Sequence, residues 1–133
     1  MYKDDLKKVL ASLADFTPQE LEHIVFCFKP KSVMKNEILL FEGDVCNEFY
    51  YVAKGCIRIY FIDKNGHEKT RYVMPGYYIG TALTSFIAQK PSIEFIEALE
   101  DSELLAISHS NFYRLNSEMN SWKNFYQRIL EMA

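Results

Sequence analysis

Gly43, Gly55, Gly66, Gly76 and Gly80 are all the glycines in the chain, and they fall within one central stretch of it. Glycine adopts positive φ without strain, so glycines set between apolar runs mark tight turns. The runs between them predict strands over Ile38–Phe41, Glu48–Ala53, Cys56–Ile62 and Lys69–Met74. Short strands punctuated by turns every 8–12 residues or so predict an all-β sandwich or barrel. Within one of them, Ile57, Ile59 and Phe61 alternate with Arg58, Tyr60 and Ile62. That period of two turns the first set toward a core and the second toward a mixed outer face. Asp63-Lys64-Asn65-Gly66 reads as a hairpin turn.

Helices are expected on both flanks. Leu6, Val9, Leu10 and Leu13 fall at helical spacing and predict an amphipathic helix over residues 3–14. Thr17-Pro18-Gln19-Glu20 reads as a capping box with proline at the first helical position. It opens a second helix with Leu21, Ile24 and Val25 on its apolar face, ending near Phe28 to Pro30. From residue 31 to 107 the chain reads as strands and turns, except that Gly80 to Ile87 breaks the alternation and predicts a short helix. Two further strands, Ser92–Leu99 and Leu104–Ile107, are joined by the acidic turn Glu100-Asp101-Ser102-Glu103. After Ser108, an expected cap, Met119, Trp122, Phe125, Tyr126, Ile129 and Leu130 form a helical apolar stripe. Spacing alone lets that stripe face either its own domain or a partner.

Composition narrows the function classes. A chain of 133 residues is one domain with room for one core. Its net charge of −3 argues against a nucleic-acid clamp, which needs clustered Lys and Arg. No apolar run approaches the roughly 18 residues of a membrane span, and no secretory h-region is present. Cys27, Cys46 and Cys56 are odd in number and lack CxxC spacing, so no disulfide framework is expected and the cytoplasm is the expected compartment.

The words around the glycines carry a resemblance. They read Phe41-Glu42-Gly43-Asp44, Tyr50-Tyr51-Val52-Ala53-Lys54-Gly55-Cys56-Ile57-Arg58, Asn65-Gly66-His67-Glu68 and Pro75-Gly76-Tyr77-Tyr78-Ile79-Gly80. In order and spacing this series resembles the cyclic-nucleotide-binding domain of the Crp/Fnr family of bacterial transcription regulators. The resemblance runs from about Thr17 to the last residue. It implies a mainly β fold, a double-stranded β-helix (jelly-roll) barrel with flanking N- and C-terminal helices. The expected divisions are residues 1–30 for the N-terminal helices, 31–108 for the barrel, and 109–133 for C-terminal helices that begin a dimerisation helix. On that reading Trp122, Phe125, Tyr126 and Ile129 meet a partner chain. The family's helix-turn-helix, which follows that helix, is not expected within these residues.

The resemblance also implies a ligand pocket. Family members hold a cyclic nucleotide in the barrel, its phosphate at the N-terminus of a short helix, where unpaired N–H groups favour an anion. Here that region is Gly80-Thr81-Ala82-Leu83, with Ser92, Ile93 and Val73 as further candidate ligand contacts. The family pattern places a ribose-binding glutamate directly after the glycine and a phosphate-binding arginine about ten residues later. Thr81 stands at the first position and Ser92 at the second, with Ile93 next, and no arginine occurs between Arg71 and Arg114. Losing that charge-assisted contact costs several kcal/mol, about two to three decades of affinity. Binding of cAMP in the usual manner is therefore not expected. Lys90 and Arg71 are read as solvated surface charges, and Arg71 faces either the pocket or the outside. An occluded or reassigned pocket is the expected state, with Thr81 and Ser92 offering hydroxyls to a smaller or neutral ligand.

Other chemistries find little support. A cupin enzyme needs a His-x-His pair with a carboxylate and a later histidine, whereas His23, His67 and His109 are isolated. The cysteine spacing does not suit an iron–sulfur cluster, and Cys56 reads as a buried small hydrophobe rather than a haem ligand. No Gly-x-Ser-x-Gly and no phosphate-loop word occurs. The expected function is that of a non-enzymatic effector-sensing domain with no cofactor, a cyclic nucleotide being the ligand class the resemblance supplies. Its expected partners are an unknown small-molecule effector and a second copy of the chain, with DNA reached only through a module outside these residues and no membrane. The alternatives are a ligand-free dimerisation or interaction barrel, and a small cupin-type enzyme.

Overall fold

The computed structural model describes residues 2–132. Two helices, α1 (Tyr2–Leu13) and α2 (Pro18–Cys27), precede β1 (Lys29–Val33), β2 (Ile38–Leu40), β3 (Glu48–Lys54), β4 (Cys56–Ile62), β5 (Glu68–Pro75) and β6 (Ile79–Gly80). A short α3 (Leu83–Ala88) separates these from β7 (Phe95–Ala98) and β8 (Ser102–Ser108), and α4 (His109–Glu118) and α5 (Asn120–Met132) follow. The strands form two antiparallel four-stranded sheets, ordered β1-β8-β3-β6 and β2-β7-β4-β5. Non-consecutive neighbours in both sheets are what a jelly roll requires, and the expected barrel with flanking helices is the fold observed.

Alternation explains how the sheets bury their inner faces. In β4, Ile57 and Ile59 are buried and Arg58 is only half-buried, as the period of two predicts. Tyr60 is buried too, although it belongs to the outer face. It stacks on Phe95 of β7 at 5.0 Å, and the Arg58 guanidinium lies over its ring at 3.9 Å. A second small cluster on the barrel's outside thus covers a residue that alternation would leave exposed. Where β4 pairs with β5 the register shifts between Ile59 and Tyr60: Ile59 faces Tyr72 but Tyr60 faces Thr70. Arg71 is therefore the extra residue of a β-bulge, which bends the strand and re-aims its side chain.

Turn chemistry follows the glycines only in part. Gly55 sits at φ 101° between β3 and β4, and an added Cβ would lie 2.7 Å from the Ser102 backbone. At the Pro75–Tyr78 turn, by contrast, it is Tyr77 and not Gly76 that takes the left-handed conformation, at φ 74°.

The helices close one side of the barrel. Thr17 accepts a bond from the Glu20 N–H while the Glu20 carboxylate accepts from the Thr17 N–H, so the capping box is present as read. The same carboxylate accepts from the Ser121 hydroxyl at 3.0 Å, tying α2 to the start of α5. Ser108 caps α4 as expected. The helical stretch is broken at Met119, where the backbone is extended, and the chain folds back. That corner lets the Phe112 ring meet Trp122 at 5.0 Å and Tyr126 at 5.1 Å.

The break decides which face α5 presents. Trp122 and Phe125 are fully buried and Ile129 nearly so, all within the chain's own core, and Tyr126 is half-buried with its hydroxyl 2.6 Å from that of Tyr113. The expectation that these four side chains meet a partner is thus corrected. Only by packing inward can they cover the apolar side of α1 and α4, and the outward side of α5 carries Lys123, Gln127 and Leu130 instead.

Candidate ligand-binding site

A cavity of about 470 Å³ opens between the inner face of β4–β5, the β6–α3 segment, the strand leading into β7, and the last turn of α5. Val73, Gly80, Thr81, Leu83 and Ile93 line it, five of the seven expected contact positions. Ala82 and Ser92 do not: Ala82 is buried in the core, and Ser92 is turned onto the backbone of Glu94. Most of the lining is apolar, with Ile59, Met74, Ile79, Leu83 and Ile129 among it. The size and character are those of a small-molecule site.

The segment expected to cradle phosphate is built differently from the expectation. Gly80 belongs to β6 and pairs with Tyr50, so the helix begins at Leu83 and not at Gly80. Beside Gly80 an added Cβ would meet the Met74 methyl at 3.3 Å, so this glycine serves packing across the barrel. The N-cap residue Ala82 offers no side-chain oxygen, and α3 has only six residues. Its other contacts pin it to the loop before β3. The Ser85 hydroxyl accepts from the Cys46 N–H and donates to the Lys90 carbonyl, and the Gln89 amide donates to the Cys46 carbonyl.

Neither expected hydroxyl is free for a ligand. Thr81 donates to the Glu48 carbonyl at 2.6 Å, and its oxygen lies 3.1 Å from the Cys46 sulfur. With the Thr81 hydrogen committed, the single Cys46 thiol hydrogen goes either to Thr81 or to the Glu48 carbonyl, 3.5 Å away. Burial pushes the Cys46 thiol up, against the opposing effect of the Thr81 bond, so it stays protonated and unreactive at neutral pH. Ser92 accepts from the Glu94 N–H and donates to the Glu94 carbonyl, both at 2.9 Å.

What those bonds of Ser92 achieve is to fix Glu94, whose side chain is only 8% exposed and lines the cavity. Its Oε2 accepts from Arg71 Nε at 2.5 Å. The Arg71 guanidinium lines the same cavity and lies over the Phe61 ring at 4.9 Å. Arg71 keeps much of the solvent contact read for it, with 43% of its side chain exposed, but its Nε also pairs at the cavity with a buried carboxylate, which needs a partner cation. Lys90 is exposed, as expected. Cys56 is only partly buried, which corrects its reading as a buried small hydrophobe.

Glu94 was not among the residues read from the sequence, yet a signal for it exists. Ser92, Glu94, Ile96 and Ala98 share one parity and all four are buried. Counting back by two from Ile96 places a carboxylate on an inward face, where one is seldom found without a function or a partner. The cavity contacts from α5, Ile129 and Met132, had no such signal because they depend on the corner at Met119.

The chain belongs to the cyclic nucleotide-binding domain family, whose model matches residues 30–118. This is a family of regulatory domains, and the Crp/Fnr resemblance carried by the glycine words stands. The chain is 29% identical over 113 residues to the anaerobic regulatory protein of Pasteurella multocida, covering 84% of this chain and 39% of that protein. It is 33% identical over 90 residues to the anaerobic regulatory protein of Haemophilus influenzae, covering 66% of this chain and 33% of that one. The chain thus spans well under half the length of these relatives. Among solved structures, the sensor domain of the transcriptional regulator DNR from Pseudomonas aeruginosa superposes with a TM-score of 0.80 at 18% identity, over 98% of this chain and 86% of that one. At that identity the likeness speaks to the fold alone. No helix among the described residues is long and apolar enough to cross a membrane, and no group of three or more His, Cys, Asp or Glu side chains among them could hold a metal ion.

Proposed function

We propose that this chain is the effector-sensing unit of a Crp/Fnr-type regulator whose cavity does not take cAMP in the family's usual manner. One observation carries the reading: the cavity's cation, Arg71, is already paired with the buried Glu94. A cyclic phosphate reaching Arg71 there would also meet the Glu94 carboxylate beside it, whose repulsion offsets what the cation offers. Thr81 and Ser92, at the positions of the family's glutamate and arginine, have hydroxyls held by the protein itself. Isothermal titration with cAMP and cGMP is expected to show no micromolar binding, and micromolar binding of either would overturn the reading.

The cavity also suggests how sensing reaches the rest of a regulator. Ile129 and Met132 of α5 line it directly. A second route runs through rings: Phe86 of α3 meets Phe112 of α4 at 5.2 Å, and Phe112 meets Trp122 of α5. An occupant that prefers one placement of α5 would bias that helix, and only such a preference can do so. The outward side of α5 would then carry the contact with a second copy. DNA would be reached through a module beyond these residues, in the cytoplasm. A ligand-free interaction barrel is the weaker reading, because the cavity is open and not filled by the chain's own aromatics.

A further inference from the structure

Granting that the cavity takes an effector, the geometry points to the class of molecule it takes: an uncharged, mostly apolar compound bearing an amide or lactam. The juxtaposition of Arg71 and Glu94 on a mostly apolar wall is what selects it. Glu94 uses Oε2 for Arg71, and its Oε1 has no hydrogen-bond partner among the described residues. Arg71 uses Nε for Glu94, and its two terminal amino groups likewise have no such partner among them. The pair therefore presents an acceptor and donors side by side, and an amide supplies the matching N–H and C=O in one plane.

Charge decides between the alternatives. The pair is neutral as a unit, and the surrounding side chains, Ile59, Met74, Ile79, Leu83 and Ile129, give a ligand's net charge nothing to replace water. An anion at the free amino groups of Arg71 also meets the like charge of Glu94, and a cation at Glu94 Oε1 also meets the like charge of Arg71. Either one gains an opposite charge and a like charge together, so its net charge finds little there to offset its lost hydration. A neutral amide bonds to both groups and leaves the ion pair intact.

Benzamide, benzoate and benzamidinium have nearly one shape and differ in charge, so they separate these cases. Titrated at millimolar concentration into the full chain, with the methyl signals of Ile59, Met74 and Ile129 followed by NMR, benzamide is expected to bind about tenfold more tightly than either charged analogue. Glu94→Gln should then move the preference to benzoate, and Arg71→Met to benzamidinium. A wild-type preference for either charged probe, or a Glu94→Gln ranking unchanged from wild type, overturns the proposal while leaving the cavity a ligand site. If none of the three probes moves those methyl signals, the sensing role of the cavity falls with it. The wild-type ranking is decisive even if neither variant folds.

Discussion

At the scale of single residues, the molecule shows how much rests on side chains meeting across long sequence separations. Gly55 is held at φ 101° with the Ser102 backbone and hydroxyl pressed against its vacant side. The same Ser102 hydroxyl accepts the Cys56 N–H at 3.0 Å, so the close approach closes the β3–β4 turn onto β8. Gly55→Ala is expected to combine left-handed backbone strain with a backbone clash, a loss of about 2–5 kcal/mol. Thermal unfolding should show this as a fall of roughly 10 °C, since about 2–4 °C accompanies each kcal/mol in somewhat larger domains and more in smaller ones. An unchanged melting temperature would mean that β8 can move away at little cost. That Gly55 marks a turn was legible from its place between apolar runs. That it must be glycine because of Ser102 was not, because nothing local links residues so far apart in sequence. Glu94 lies between these cases: parity exposes its inward position, but its partner Arg71 depends on a bulge that no spacing rule announces.

At the scale of elements, the best-determined features are the ones whose chemistry is local. The α2 capping box needs only Thr17, Pro18 and Glu20, and it forms as read. Thr17→Ala should cost about 1 kcal/mol by chemical denaturation, in line with lost N-caps elsewhere. Its partner Glu20 carries a pH signature. The Thr17 backbone N–H, followed by the Ser121 hydroxyl, holds its carboxyl below the ordinary value. A depressed folded-state pKa gives stability that is fully present above the unfolded value, near that of an ordinary carboxylate, and is lost as pH falls through the folded one. Glu20→Gln should therefore be less stable than wild type at neutral pH, with the gap closing in acid. Urea midpoints measured at neutral and acid pH check this, and a gap that widens in acid would reverse the sign. The helices after Ser108 show the opposite limit. Phe112, Leu115, Met119, Trp122, Tyr126 and Ile129 keep helical spacing straight through the break, so the apolar period shows no interruption. In one straight helix, however, Phe112 and Tyr126 would lie about 20 Å apart at a rise of 1.5 Å per residue. Their rings are 5.1 Å apart. The corner at Met119 is thus a product of tertiary packing, and it is also what brings Ile129 and Met132 to the cavity.

At the scale of the whole molecule, packing the stripe of α5 inward changes where a second copy could bind. A dimer built on Trp122 and Phe125 would have to open the core, since both are fully buried within one chain. What α5 leaves on its outward side is mostly polar, with Leu130 at 43% exposure its large apolar side chain there. If self-association uses this helix, a charge at Leu130 should disrupt it without harming the fold, because surface substitutions usually stay within about 0.5 kcal/mol. Leu130→Asp is expected to move the sedimentation coefficient toward the monomer while the urea midpoint of the dissociated chain stays unchanged. Trp122→Ala should behave in the opposite way, losing about 3–5 kcal/mol of stability by cavity formation. The pair of variants separates an outward contact from an inward one. Should Leu130→Asp leave sedimentation unaltered in a wild type that self-associates, the contact must be sought on the barrel, where Phe41 and Ile62 are also exposed.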